Sequence, residues 1–229
     1  MQETLEELGI NNLKILQKKD GFRFGSDAVF LCDFIKTRKT GKKISIADLG
    51  TGTGIIPLLL HAFLSPARID AYEIDKPTAD MASRSIALNN ITNIDVHNID
   101  IKDTALLNSK GKIDIVTANP PYFKMGSGFI SKKADVCAAR SEQIMTLEDC
   151  VYAANKLLKY GGYFYLVHKP ERLCDIFFLM RKYKIEPKRM QFSANTHYSP
   201  PSLVFIEGKL GAKPEIKILP TLIPSERKE

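Results

Sequence analysis

Two stretches of this chain combine residue types and spacings that could do chemistry. The first is "DLGTGTG" at positions 48–54, where Gly50, Gly52 and Gly54 alternate with Thr51 and Thr53 behind Asp48. Glycines so spaced let a backbone turn tightly and approach a ligand with no Cβ in the way. A GxGxxG fingerprint would seat a pyrophosphate on the following helix, but the spacing here is GxGxG and Asp48 would repel a phosphate. An acid at that place suits a cationic ligand. Glu73 closes a second apolar run, where a carboxylate can accept both hydroxyls of a ribose. Asp100 closes a third, at the depth an adenine ring would reach. The set describes a positively charged nucleoside without phosphate, S-adenosylmethionine. The second stretch is "IVTANPPYF", Ile115 to Phe123. Pro120 and Pro121 supply no backbone N–H and exclude helix, so the chain leaves the run on a fixed, extended path. Asn119 is thereby held stiffly at the end of a strand, with Tyr122 just beyond it.

The elements that must position these residues follow from the apolar pattern. "ISIADLG" (44–50) reads as a buried strand and "GIIPLLLHAFL" (54–64) as a helix. Residues 68–75 form the next strand, and 77–90 a helix with Pro77 in its first turn. Residues 93–100 and 112–118 are two further strands. Thr146 caps a helix whose positive end carries Glu148 and Asp149 and which Gly161 stops. A strand (163–168), a helix (171–183) and a closing pair of strands within 190–194 and 202–208 follow. Strands alternating with helices predict a doubly wound, mainly parallel α/β sheet. Residues 1–43 pack against the mouth of the first strand rather than forming a domain of their own, 44–210 are the core and 211–229 a C-terminal extension.

Composition narrows the class. The chain has 229 residues, 44% of them apolar, enough for a full core. Its acidic, polar N-terminus does not read as a secretory signal, and no apolar run is long enough to span a membrane. A cytoplasmic protein is expected. Cys32, Cys137, Cys150 and Cys174 are scattered without a CxxC pair and read as buried reduced thiols. His61, His97, His168 and His197 form no ligand cluster either, so no metal is expected. The net charge of +7 favours a polyanionic partner.

"DLGTGTGI", "YEID" and "NIDI" resemble the cofactor motifs of class I, Rossmann-like S-adenosylmethionine-dependent methyltransferases over about residues 44–210. The resemblance implies a seven-stranded sheet with an antiparallel closing strand. It also implies Gly50, Thr51 and Gly52 against the methionine part, Glu73 on the ribose, and Asp100 with Ile101 at the adenine. Asp48, Gly54 and Asn119 complete that pocket. "NPPY" resembles the motif of methyltransferases acting on a planar nitrogen. An exocyclic ring amine is a poor nucleophile because its lone pair is delocalised. The Asn119 oxygen and the Pro120 carbonyl would accept its two hydrogens and draw the nitrogen toward tetrahedral geometry. Pro121 stiffens the turn, and Tyr122 offers a ring face to a flipped base.

Several features resemble the valine tRNA adenine N6-methyltransferase family. They are "DGFRFGSDAVFLCDF" (20–34), "NPPYF", "AARSE" (138–142), "VHKPERL" (167–173) and "PPSLVFIEG" (200–208), in that order. This implies methylation of adenine N6 in tRNA next to the anticodon. Phe24 and Asp27 would close over the cofactor, while Arg23, Tyr122, Phe123, Lys124, Lys132, Lys133 and Arg140 would contact the RNA. Lys169, Arg172, Lys182, Lys184, Lys188 and Arg189 could extend that surface. The alternatives are a glutamine methyltransferase acting on release factors, a guanine N2 enzyme acting on rRNA, and a non-catalytic RNA-binding module.

Overall fold

The computed structural model describes residues 2–19, 24–37, 43–103, 112–122 and 145–226. Arg23, Phe123, Lys124, Lys132, Lys133 and Arg140 lie outside them, as does Cys137. Among the described residues, strands β1 (Glu3–Glu7) and β2 (Lys14–Lys18) pair as an antiparallel hairpin, and helix α1 (Ser26–Lys36) follows. The core alternates: β3 (Ser45–Leu49), α2 (Ile55–Leu64), β4 (Arg68–Tyr72), α3 (Lys76–Leu88), β5 (Ile94–His97) and β6 (Ile113–Ala118). Then come α4 (Leu147–Leu157), β7 (Leu158–His168), α5 (Leu173–Lys182), β8 (Ile185–Ser193), β9 (Leu203–Leu210) and β10 (Lys217–Ile218).

The main sheet has the order β10-β8-β9-β7-β6-β3-β4-β5, with β9 antiparallel to both its neighbours. The other pairings are parallel, so the carboxyl ends of β3 to β7 share one edge. That is the doubly wound, mainly parallel sheet the alternation predicts, with the antiparallel strand near its end that the resemblance implies, plus an eighth strand. β10 is two exposed residues at the sheet margin, too short to leave an apolar signature.

Alternate residues of the central strands feed two cores, as pleating requires. Val116, Ala118, Phe164, Leu166 and Ile206 pack with Cys150, Val151, Ala154, Leu157, Ile176 and Met180 of α4 and α5. Ile46, Ile115, Tyr165, Val167 and Phe205 pack with Leu31, Ile35, Leu58 and Leu59 of α1 and α2. Cys32 and Cys150 are buried as expected, whereas Cys174 is exposed, because α5 turns Ile176 and Met180 inward instead.

Several boundaries differ from the pattern: β4 ends at Tyr72, so Glu73 lies one residue beyond it, and β8 begins at Ile185 rather than at Met190. Helix α4 keeps its Thr146 capping box but ends at Leu157, and Gly161 does not stop it. Leu158 opens β7 directly, and Gly161 and Gly162 lie in an irregularity where Ile113 faces Leu158 but Ile115 already faces Tyr163. A Cβ at Gly162 would sit 2.9 Å from the Lys159 carbonyl, so the bulge needs glycine there. Likewise β5 stops at His97, and Asp100 sits in the turn beyond, its Oδ1 accepting the Lys102 N–H at 2.9 Å.

The N-terminal hairpin docks on α3. Asn89 accepts the Lys14 N–H at 2.8 Å and donates to the Lys14 carbonyl at 2.6 Å, and the Ser85 hydroxyl accepts the Leu16 N–H at 3.0 Å. At the far end of α1, Arg189 donates to the Phe34 carbonyl and to the Thr37 hydroxyl. The same guanidinium pairs with the fully buried Glu207 at 2.9 Å. Arg189 is therefore a structural cation rather than an extension of a nucleic-acid surface.

Candidate active site

Strand register brings the two chemical stretches together. Leu49 of β3 lies opposite Ala118 of β6 and opposite Tyr72 of β4. One residue further on, Gly50 therefore falls between Asn119 and Glu73 at the carboxyl edge. Ala118 also faces Leu166 of β7, which sets Pro120 beside the level of His168. Ligands of open α/β sheets bind along this edge.

The glycine turn is built for close approach. Gly50, Gly52 and Gly54 have φ of +68°, +58° and +91°, a region that L side chains rarely occupy. The Thr51 N–H is held by the Tyr72 carbonyl at 2.9 Å, and Gly52 donates to Glu73 Oε2 at 2.9 Å. Glu73 Oε1 accepts the Asp75 N–H at 2.9 Å, so both carboxylate oxygens are fixed yet each keeps a lone pair for a hydroxyl. A Cβ at Gly52 would meet nothing within 4 Å, so that side of the turn is open. At Gly50 a Cβ would come within 2.6 Å of the Met145 methyl. Ile101 is buried and Asp100 half-buried beyond β5.

Asp48 is fully buried beneath the turn. Thr117 Oγ1 donates to its Oδ1 at 2.6 Å. Burial lifts its pKa to about 7 against the opposing pull of Thr117 and Thr51. Oδ2 is buried and accepts no hydrogen bond from the described residues. A positive charge above the turn would restore the carboxylate, so the donor set fits a cation. Thr117 was readable in sequence as the one hydroxyl in "IVTA", a polar interruption of an apolar strand.

At the neighbouring strand end, Asn119 is half-buried and Pro120 buried. Asn119 Nδ2 donates to Asp27 Oδ2 at 3.2 Å, and the single hydrogen of the Tyr122 hydroxyl is shared between that oxygen, at 2.8 Å, and Asn119 Oδ1. Burial, then the Asp27 charge, holds the Tyr122 pKa well above its usual value, so the phenol keeps its proton. The ring meets the edge of His168 at 5.3 Å between centroids, and Lys169 Nζ lies 5.7 Å from its centre. His168 is buried and uncharged, its pKa pushed down to about 4 by burial and by Arg172. Its Nδ1 accepts the Lys169 N–H at 2.8 Å. Asp27 was expected over the cofactor; its hydrogen bonds go to the Asn119–Tyr122 turn. Nothing in local sequence signals a contact across 92 residues. Phe24 is half-buried, with its N–H on the Gln17 side chain at 3.1 Å.

Comparison with known proteins shows the family and the fold. Residues 19–182 match the family described as "Methyltransferase small domain". A protein of Parabacteroides distasonis named tRNA1(Val) (adenine(37)-N6)-methyltransferase is 30% identical over 200 residues, which cover 87% of this chain and 81% of the relative. One of the same name from Porphyromonas gingivalis is 30% identical over 172 residues, covering 73% of this chain and 67% of the relative. Among solved structures, a predicted O-methyltransferase from Agrobacterium tumefaciens superposes with a TM-score of 0.68 over 86% of each chain. At 19% identity that likeness shows the shared fold alone.

Proposed function

This chain belongs to the methyltransferase small domain family, in its tRNA1(Val) (adenine(37)-N6)-methyltransferase group, and on that premise we propose that it methylates N6 of an adenine in tRNA with S-adenosylmethionine as donor. One observation carries the reading: strand register sets the open glycine turn directly beside Asn119. When bound, S-adenosylmethionine supplies a methyl group activated on a sulfonium.

The chain's own residues do the rest. Gly50, Thr51 and Gly52 admit the methionine part, Glu73 presents acceptors to the ribose, and Ile101 with Asp100 flanks the adenine. Asp48 regains its charge beneath a cation. At the acceptor side, Asn119 Oδ1 has two lone pairs, so contact with the Tyr122 hydroxyl still leaves one for an amine hydrogen. The Pro120 carbonyl takes the other hydrogen, and the nitrogen lone pair is freed from the ring. No base acts first, because the amine becomes acidic only once alkylated. The Tyr122 ring supports an everted adenine, with neutral His168 behind it adding no positive charge near the reacting centre. Arg23, Phe123, Lys124, Lys132, Lys133 and Arg140 hold the RNA backbone and neighbouring bases.

The test is incubation of the protein with labelled donor and undermethylated bulk tRNA, then nucleoside mass spectrometry. N6-methyladenosine is expected. Label in N2-methylguanosine, or in a release factor but not in tRNA, would assign another acceptor; no label anywhere would leave an RNA-binding module.

A further inference from the structure

The second residue of α1 is an aspartate, and the N-cap residue before the helix, Gly25, has no side chain to cap it. The aspartate's carboxylate is aimed across the molecule. Asp27 Oδ1 is tied to the Ala28 N–H at 2.9 Å, while Oδ2 receives Asn119 Nδ2 and the Tyr122 hydroxyl. Gly25 makes room for this, since a Cβ there would stand 2.8 Å from Asp27 Oδ1. The helix that carries Asp27 is fixed at both ends. Before it, Phe24 is hydrogen-bonded to the buried Gln17, which donates to Glu6 of the hairpin at 2.7 Å. Behind it, Arg189 grips Phe34 and Thr37.

An asparagine amide has two ends of opposite chemistry. With Nδ2 on Asp27, the carbonyl oxygen faces the Tyr122 hydroxyl and keeps a second lone pair for the amine; the reverse orientation would put two oxygens 3.2 Å apart. We infer that Asp27 is the positioning residue of the methylation site, taking the Asn119 amide hydrogen so that oxygen, not nitrogen, meets the acceptor amine. A nitrogen at that place would offer a donor to a donor and reject the amine. The inference rests on the methylation reading above, and it gives the N-terminal segment a chemical part in the reaction.

Reciprocal exchange of the two groups separates positioning from mere packing. Asp27→Asn combined with Asn119→Asp restores one donor and one acceptor between the positions and leaves an oxygen for the amine. Asn119→Asp alone sets two carboxylates against each other. The assay is single-turnover transfer from labelled S-adenosylmethionine to undermethylated bulk tRNA, with donor affinity by calorimetry and a thermal melt for each variant. Asn119→Asp should lose about 100-fold in rate, and the double variant should recover at least about tenfold of that. Asp27→Ala should lose more than Asp27→Asn, which keeps an acceptor, with donor affinity within about threefold of wild type in both. The inference is overturned if the double variant is no faster than Asn119→Asp, or if Asn119→Asp is itself near wild type. If Asp27→Ala does not fold, the exchanged pair decides alone. Wild-type speed in Asn119→Ala would instead overturn the methylation reading itself.

Discussion

Replacing Asp48 with asparagine should stabilise the ligand-free protein, and the gain should depend on pH in a defined direction. Burial raises the Asp48 pKa from 3.8 to about 7. Between those values the folded state holds a proton that the unfolded state has released, so folding stability falls as pH rises. Below the lower value both states are protonated and nothing is lost; above the upper value both are ionised and the full cost is present. At about 1.36 kcal/mol per pKa unit, that cost is about 4 kcal/mol near pH 8 and about 2 kcal/mol near pH 5. Asparagine is neutral throughout and can still accept from Thr117, so it escapes the cost. Urea denaturation of both proteins at the two pH values reads the difference directly. Stability curves that stay parallel between the two pH values would refute the reasoning. The same carboxylate should make wild-type affinity for S-adenosylmethionine rise with pH through about 7, as ionised Asp48 becomes available to a cation.

Gly52→Ala should cost about 1–2 kcal/mol of stability, because φ is +58° there, and calorimetry should show donor affinity reduced at least about tenfold, the new methyl filling the open side of the turn. Unchanged affinity would remove Gly52 from the pocket. Arg189→Ala should destabilise by about 3–5 kcal/mol in denaturant, since the fully buried Glu207 would lose the Arg189 guanidinium; a loss below about 1 kcal/mol would contradict that role. His168→Phe should leave the pH profile of transfer unaltered between about pH 6 and 8, because the imidazole is neutral throughout that range. A changed profile would mean that the imidazole carries a proton in the reaction.

Much of the carboxyl edge was legible because its signals are local. A strand, a glycine turn and a helix follow one another within 20 residues, 45 to 64, and "NPPY" stiffens its own asparagine. The alternation of apolar runs with periodic segments carries the parallel sheet. What was not legible depends on tertiary contact. The Gly161–Gly162 pair looks like a helix stop, and only pairing with β6 makes it a bulge. Lys14, Leu16, Ser85 and Asn89 give no sign that a hairpin will lie on α3. Arg189 reads as surface charge until Glu207 is placed beneath it. Asp27 reads as part of a segment closing over the cofactor, and its tie to Asn119 exists only once α1 is laid against the end of β6.

In the proposed mechanism an amide oxygen held at the end of β6 makes a sluggish amine reactive. Single-turnover transfer by Asn119→Ala, with donor affinity measured on the same protein, tests this most directly. Loss of about 10²–10³ in rate with affinity within about twofold of wild type is predicted. A variant that methylates tRNA as fast as the native protein would contradict it.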